Sequence, residues 1–237
     1  TSPCGGGQTR SFAYDSLKRL SSALNPELGG NSIGYFYDDN GNLTGKLTSG
    51  SPGLLINYSY DSLNRVVTRD YSDGTTPAVT YCYDGKTWNG SVGGCGGTAA
   101  APSKGRLTEV GSTVSRTSYA YNSAGQVTLS TQTTAGNSYT FGYTYTAGMA
   151  LATQTYPSGR TVTTSYDDAG RVKSVKGQSG WIARDYAGNP GNPIQYASHG
   201  AIESMAMGNG IVETRTYNSR LQPTAIQAGS LMTILTC

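Results

Sequence analysis

The chain has 237 residues, and its 17 Lys and Arg against 14 Asp and Glu give a net charge of only +3. With no basic run, this charge argues against nucleic acid as a partner, and no apolar stretch approaches the roughly 18 residues of a membrane span. Only 13% of the residues are charged, while 18 are tyrosine and 33 are glycine. This composition excludes a charged disordered chain and predicts an all-β protein with many turns, long enough to bury an ample core.

The chain opens with a glycine-rich stretch and then turns to hairpins. Residues 1–9, which include Cys4, are expected to form a flexible lead, and residues 10–237 a single β domain. Residues 30–34 read Gly-Asn-Ser-Ile-Gly and so satisfy the Gly-x-Ser-x-Gly pattern of hydrolases. That motif needs a strand before it and a helix after it, whereas a loop precedes it here and a strand follows. A plain turn is therefore expected.

The clearest hairpin signal lies at residues 56–67. Ile56, Tyr58 and Tyr60 alternate with polar residues, which predicts a half-buried strand. Asp61 can accept hydrogen bonds from backbone N–H groups two residues on, and Asn64 tolerates a left-handed backbone. The chain is therefore expected to reverse at this point and to begin a return strand.

The same seven-residue pattern, here called the tyrosine motif, recurs along the chain. Position 1 is tyrosine, position 2 is usually Asp or Asn, position 5 suits a positive φ and position 7 is aliphatic. The expected repeat residues are Tyr14, Asp15, Tyr37, Asp38, Gly41, Tyr60, Asp61, Asn64, Tyr83, Asp84, Tyr121, Gly125, Tyr166, Asp167 and Gly170. The first four of these tyrosines are spaced 23 residues apart. A fixed period of this size is typical of a repeat architecture.

Two copies carry a family resemblance. Residues 166–172 read Tyr-Asp-Asp-Ala-Gly-Arg-Val and residues 14–20 read Tyr-Asp-Ser-Leu-Lys-Arg-Leu, which resembles the YD repeat of RHS-repeat proteins. The resemblance implies a long spiral sheet of β-hairpins, solenoid-like or shell-like. In bacterial toxin complexes, RHS effectors and animal teneurins, such a sheet closes into a hollow shell. Complete shells of this kind are several times longer and carry an aspartate-rich Asp-Pro self-cleavage region, a motif that this sequence lacks.

The fourth copy is interrupted. It begins at residues 81–84, breaks for an inserted loop at 85–103 and resumes at 105–107. Trp88 and the glycine run at 93–97 could form a contact surface, since inserted loops of repeat proteins often carry function. The favoured alternative is a loop tied to its own strand, because a Cys82–Cys95 disulfide would remove much of the chain entropy of this glycine-rich segment.

Four cysteines allow three complete pairings, which sequence alone does not separate. Besides Cys82 with Cys95, the two end cysteines, Cys4 and Cys237, could pair with each other or join successive molecules head to tail. Disulfides need an oxidising compartment, which favours an extracellular or cell-surface protein. Reduced, buried cysteines in a cytosolic toxin shell are the alternative.

The later part of the chain is less regular. Four aromatic residues alternate strictly at Tyr139, Phe141, Tyr143 and Tyr145, and this ladder is expected to be core, with a sugar-binding platform as the alternative. Residues 208–210, Gly-Asn-Gly, predict a hairpin turn. Residues 217–221 look one residue short of the tyrosine motif, so a different turn is expected there.

Few residues suggest chemistry. The one histidine, His199, lies in a turn of the motif, so neither a His-rich metal site nor a histidine pair can be assembled. A serine triad built on His199 would need a placed serine and carboxylate, and nothing in the sequence places them. Asp167 and Asp168 would point to opposite faces of an extended chain and do not form an acid–base pair. A non-enzymatic protein without catalytic residues, metal or cofactor is therefore expected.

Three functions remain open. The first is an extracellular structural protein whose open sheet ends pair with further copies of itself in a filament, tube or shell wall. The second is a segment of a toxin-encapsulating RHS shell, with the rest of the shell or its cargo as partners. The third is a module that binds glycans or a receptor through the 85–103 insertion or through exposed tyrosines. It would need Trp88, Trp181 or tyrosines facing solvent in a concave patch.

Overall fold

Antiparallel hairpins make up nearly all of the regular structure. A computed structural model describes residues 9–50, 52–98, 102–177, 185–187, 194–230 and 232–235. The chain divides into two compact units, Thr1–Ser138 and Tyr139–Cys237. The single domain expected for 10–237 stays a prediction. Among the described residues, no helix is long and apolar enough to cross a membrane.

The first unit is one meandering sheet with a small added hairpin. Its strands are β1 (Ser11–Tyr14), β2 (Leu20–Leu24), β3 (Ser32–Tyr37), β4 (Leu43–Thr48), β5 (Leu54–Tyr60), β6 (Val66–Tyr71), β7 (Val79–Tyr83), β8 (Thr87–Trp88), β9 (Cys95–Gly96), β10 (Leu107–Gly111), β11 (Ser115–Tyr121) and β12 (Val127–Thr134). A single 3₁₀ turn, Pro26–Leu28, joins β2 to β3. Strands β1 to β7 and then β10 to β12 are neighbours in chain order, whereas β8 pairs only with β9.

The second unit continues the same pattern. Its strands are β13 (Asn137–Tyr145), which begins at the unit boundary, β14 (Leu151–Thr155), β15 (Thr161–Tyr166), β16 (Val172–Gly177), β17 (Asp185–Ala187), β18 (Gln195–Tyr196), β19 (Ile202–Ala206), β20 (Val212–Tyr217), β21 (Pro223–Ala228) and β22 (Met232–Leu235). Strands β13 to β17 are neighbours in chain order, and β18 to β22 form a five-stranded sheet. Because consecutive strands are antiparallel, alternate turns within each sheet lie on the same edge. The turns of the tyrosine motif share that edge.

Each motif hairpin contains a β-bulge beside its tyrosine. Tyr14 pairs with Leu20 while Ala13 pairs with Ser22, so Ser21 is the extra residue. The same shift occurs in the hairpins of Tyr37, Tyr60, Tyr83, Tyr121, Tyr145, Tyr166, Tyr196 and Tyr217. A bulge interrupts the ladder locally and increases strand twist. It also means that backbone groups near position 7 form hydrogen bonds with partners outside the strand ladder.

The described residues bury few apolar side chains, although the chain is long enough for an ample core. The buried apolar side chains there are those of Ala23, Cys82 and Ile194, while Phe12 is 53% exposed and Tyr139 43%. In the first unit, most residues of the strands are only partly buried. The interpretation of the aromatic ladder as core is therefore wrong at Tyr139, although Phe141 makes an edge-on contact with Tyr156 at 5.8 Å between ring centroids.

The turn after Tyr217 was expected to differ from the others, and this expectation is wrong. Asn218 N–H donates to the carbonyl of Gln222 at 2.9 Å, Leu221 N–H donates back to Asn218, and Pro223 pairs with Tyr217. Leu221 has a φ of 64°, so it occupies position 5 of the motif and not position 7. The turn expected at residues 208–210 is confirmed, since Met207 N–H donates to the carbonyl of Ile211.

Candidate functional site

The aspartate at position 2 organises the turn of each motif. Asp61 Oδ1 accepts hydrogen bonds from the backbone N–H groups of Leu63 and Arg65 at 2.9 and 3.0 Å. Its second oxygen, Oδ2, accepts from Arg65 Nε at 2.7 Å. The Asn64 N–H donates to the carbonyl of Asp61, and Asn64 adopts the expected left-handed backbone with a φ of 59°. One carboxylate therefore satisfies three donors in a five-residue turn.

The other copies repeat this geometry with related residues. Asp15 with Arg19 and Asp167 with Arg171 make the same set of contacts. Asn42 replaces the arginine opposite Asp38, and Asn122 replaces the aspartate opposite Gln126. The positive φ expected at position 5 is found at Lys18, Gly41, Asn64, Gly125, Gly170 and Gly200.

The tyrosine at position 1 contacts the preceding hairpin. The hydroxyl of Tyr60 donates to the backbone carbonyl of Leu43, position 7 of the copy before it, at 2.7 Å. The same bond, over 2.5 to 3.0 Å, joins Tyr37 to Leu20, Tyr83 to Val66, Tyr121 to Leu107, Tyr166 to Leu151, Tyr196 to Val172 and Tyr217 to Ile202. Each accepting carbonyl belongs to a position-7 residue, which pairs with the tyrosine of its own copy beside the bulge. The hydroxyl of the following copy therefore satisfies a carbonyl of the interrupted strand ladder.

An arginine at position 6 covers the tyrosine of the next copy. The guanidinium carbon lies 4.6 Å from the ring centroid for Arg19 over Tyr37, and 4.4 Å for Arg65 over Tyr83. Arg106 over Tyr121 and Arg171 over Tyr196 repeat the arrangement at 5.6 and 4.6 Å. Together with the hydroxyl bond, this stacking forms what we call the inter-repeat contact. It uses the attraction of a cation to an aromatic face.

Arg65 makes the most extensive of these contacts. Besides Asp61 and the ring of Tyr83, its Nη2 donates to Asp84 Oδ2 at 2.8 Å, so one guanidinium joins the carboxylates of two successive copies. The hydrogen bond from the Arg65 side chain is the main reason that the pKa of Asp84 is lowered, and the two carboxylates raise the pKa of Arg65. All three groups are therefore charged in the folded chain at neutral pH.

Two parts of this site were missed in the sequence. The recurrence of arginine at position 6 was visible in Arg19, Arg65, Arg106 and Arg171, but its partner belongs to another copy and has no fixed spacing from it. A further copy at residues 145–151 was also missed, because Thr146 and Met149 replace the usual Asp and Gly. Where position 6 is Ala201, the ring of His199 packs edge-on against Tyr217 at 4.7 Å between centroids. His199 therefore contributes to an inter-repeat contact as well as to a turn.

The inserted loop folds as a hairpin on one face of the sheet. Cys82 and Cys95 form a disulfide with their Cα atoms 5.6 Å apart. The indole of Trp88 packs directly over Gly111, where a Cβ atom would lie 2.6 Å from the ring. The hydroxyl of Thr108 lies 2.6 Å from the carbonyl oxygen of Lys86. The hairpin is thus fixed at several points.

The interrupted motif also closes as expected. Asp84 N–H donates to the carbonyl of Arg106, and Gly105 N–H donates to Asp84 Oδ1 at 2.6 Å. The two end cysteines, Cys4 and Cys237, lie outside the described residues. In the residues 30–34, Ser32 begins strand β3 and exchanges hydrogen bonds with Ser49, as expected for a turn followed by a strand.

The ionisable groups of the motif predict a loss of stability in acid. The hydrogen bond from the backbone N–H of Arg65 is the largest cause that lowers the pKa of Asp61. Outside the motif, in the turn between β6 and β7, the hydrogen bond from the Thr76 side chain is the main cause that lowers the pKa of Asp73 to about 2. An unfolded aspartate titrates at about 3.9. The contribution of these groups to the free energy of unfolding is therefore complete above about pH 4 and lost as the pH falls through the folded values. The urea concentration at the midpoint of unfolding should therefore decrease as the pH is lowered through that range. The decrease should be smaller in an Asp61→Ala variant.

At alkaline pH the tyrosines of the motif predict the opposite dependence, in which the free energy of unfolding decreases as the pH rises. Burial raises the pKa of Tyr60, Tyr83 and Tyr121 above the ordinary value, because the neutral phenol is favoured away from water. Their contribution to the free energy of unfolding is complete below about pH 10 and is lost as the pH rises through the folded values. Urea unfolding followed from about pH 8 to 11 should show this loss, and an unchanged midpoint would contradict the inter-repeat role of the tyrosines.

Comparison with known proteins gives a match in fold. No family model and no curated protein matches the sequence. The crystal structure of TcdB2-TccC3-Cdc42 is similar with a TM-score of 0.62 and 15% identity, over 93% of this chain and 13% of that one. A mutant Tc holotoxin pore of Photorhabdus luminescens is similar with a TM-score of 0.64 and 14% identity, over 92% of this chain and 12% of that one.

This chain therefore spans about an eighth of the length of the chains that it matches. The matched structures also include TcdB2-TccC3-TEV, with a TM-score of 0.64 and 14% identity. The tyrosine motif and the likeness to these Tc toxin structures together show that the chain has the YD-repeat fold of RHS-repeat proteins.

Proposed function

We propose that this chain is a segment of the wall of an RHS-type shell and that its role is structural and not enzymatic. The observation that carries the proposal is the recurrence of one inter-repeat contact, in which Tyr83 and its counterparts join each hairpin to the one before it. The tyrosine, aspartate and arginine of the motif are all used in joining strands. The likeness to Tc toxin structures supports the same role.

The exposed faces of the sheet agree with a wall. A sheet that borders solvent on one face and an enclosed space on the other needs little buried apolar surface, and Phe12 and Phe36 are both about half exposed. Stability then depends on contacts between adjacent hairpins, as in other repeat proteins. The rest of the shell, or a cargo within it, would be the partner of this segment.

Cryo-electron microscopy of the purified protein tests this role. A wall segment is expected to give discrete particles in which a curved sheet, one layer thick, borders an empty concave side. A particle whose interior is filled by a second packed layer would contradict a wall, because the residues of both faces would then be buried.

A second candidate is self-assembly of an extracellular protein into a filament or tube. The observation that favours it is strand β1, whose four residues are all exposed. Tyr14 is 62% exposed, so its ring could receive the position-6 arginine of another molecule. The disulfide Cys82–Cys95 supports an oxidising compartment.

The same microscope separates this candidate from the first. Long uniform fibres that shorten when reductant is added would support polymers linked through the end cysteines, Cys4 and Cys237. Replacing Tyr14 by Ser should then weaken the fibres, whereas Tyr139→Ser, at another exposed tyrosine, should leave them intact. Discrete particles at all concentrations, with and without reductant, would contradict self-assembly.

A further inference from the structure

A groove lies between the inserted hairpin and the adjoining turns of the first sheet. It has a volume of about 610 Å³ and is lined by Trp88, by residues 112–116 and by residues 133–136. Ligand sites of proteins usually measure about 300–1,000 Å³. The groove therefore has the size of a small-molecule or oligosaccharide site, and none of its lining residues takes part in the inter-repeat contact described above.

Trp88 is held in place by contacts that do not depend on a ligand. One side of its indole packs on Gly111, its Nε1 donates to the carbonyl of Ser91 at 2.7 Å, and its backbone N–H donates to Glu109 Oε1 at 3.2 Å. The disulfide Cys82–Cys95 fixes the other arm of the hairpin. An aromatic ring held in this way binds at low entropic cost, since no rotamer has to be frozen.

Arg116 supplies the charge of the groove. Its side chain is 51% exposed, whereas that of Glu109 is 3% exposed, and the two approach to 3.5 Å through Arg116 Nε. The buried carboxylate thus orients the guanidinium through Nε. The two Nη nitrogens of the Arg116 guanidinium form the planar donor pair that matches a carboxylate. Arg116 is the one charged residue among those that line the groove.

The remaining lining combines hydroxyl-bearing residues with the exposed apolar side chain of Val114. The hydroxyl-bearing residues of the lining are Ser112, Thr113, Ser115, Thr133 and Thr134, and Ala135 and Gly136 are exposed. The hydroxyls of Ser112, Thr133 and Thr134 also hydrogen-bond within the chain. A sugar ring combines an apolar face, which can pack on an indole, with hydroxyls that hydrogen-bond to such a lining.

We infer that this groove binds an acidic saccharide, with Trp88 packing against a sugar ring and Arg116 pairing with its carboxylate. The inference goes beyond the wall function and does not require it. It places the ligand beside Trp88 of the inserted hairpin, which interrupts the fourth copy of the motif.

Isothermal titration calorimetry with a hyaluronan hexasaccharide tests the inference on the full chain, with neutral maltohexaose as the reference sugar. The hyaluronan fragment should bind and maltohexaose should bind at least tenfold more weakly. Arg116→Gln should weaken hyaluronan binding at least tenfold, whereas Arg220→Gln, which removes the same charge from an exposed turn, should leave it unchanged. Trp88→Leu should also weaken it at least tenfold.

A second readout protects the test from a folding defect in the Trp88 variant. In a Trp181→Phe background Trp88 is the only tryptophan, so its fluorescence should change as hyaluronan is added and should saturate with the calorimetric affinity. Absence of binding, equal binding of both sugars, or full binding by Arg116→Gln would each overturn the inference.

Discussion

Removal of the Cys82–Cys95 disulfide by a double change to alanine should lower the free energy of unfolding by about 3 kcal/mol. The disulfide closes a loop with a sequence separation of 13, and without it the glycine-rich segment between the two cysteines gains chain entropy in the unfolded state. For a chain of this length, the change corresponds to a fall of about 6–12 °C in the melting temperature. Differential scanning calorimetry measures both quantities.

The matched control is a comparison in reducing buffer. Both proteins then lack the cross-link, so their melting temperatures should agree if the effect comes from the disulfide and not from the side chains replaced. Trypsin should cleave the double variant after Lys86 faster than the parent, because the inserted hairpin loses one of its attachments. A variant that melts with the parent in oxidising buffer would contradict this account.

The second large effect is expected at the turn of the third motif. Asp61→Ala removes the acceptor of two backbone N–H groups and of Arg65 Nε, and it should lower the free energy of unfolding by about 2 kcal/mol. Asp61→Asn should cost about half as much, because an amide oxygen can still accept the two backbone bonds. Asn122 uses its side chain in this way in the fifth copy.

Asp39→Ala is the control for charge and position. Asp39 occupies position 3 of the neighbouring copy and is exposed, so its removal should change the free energy of unfolding by less than about 0.5 kcal/mol. Urea unfolding of the three variants gives the comparison. Equal stabilities of Asp61→Ala and Asp39→Ala would mean that the carboxylate does not organise the turn.

Local chemistry explains which features could be predicted from the sequence. The strand and turn at residues 56–67 follow from alternation, from the acceptor at Asp61 and from the left-handed preference of Asn64. These effects act within a few residues, so they repeat wherever the motif repeats. The disulfide pairing was favoured for a related reason, since Cys82 and Cys95 flank a short glycine-rich loop.

The features that were missed depend on contacts between copies. The sequence places Tyr60 on one face of a half-buried strand, but it does not show that the hydroxyl of Tyr60 joins it to Leu43 of the preceding hairpin. The bulge makes this carbonyl available to accept the hydrogen bond from the hydroxyl. The position of the bulge depends on the turn and on the partner strand together. Residues 217–221 look one residue short of the motif in the sequence, although Leu221, with a φ of 64°, occupies position 5 of a complete copy. The scarcity of buried apolar side chains could not be predicted from composition, because composition does not show whether a second layer covers the sheet.

The most direct test of the inter-repeat contact is a double-mutant cycle between Arg65 and Tyr83. The single variants Arg65→Gln and Tyr83→Leu and the double variant are compared with the parent by urea unfolding. The account predicts a coupling free energy of about 1 kcal/mol, because the guanidinium lies 4.4 Å from the ring centroid of the next copy. Effects that add to within about 0.3 kcal/mol would contradict it, since the motif would then stabilise its own turn without joining one hairpin to the next.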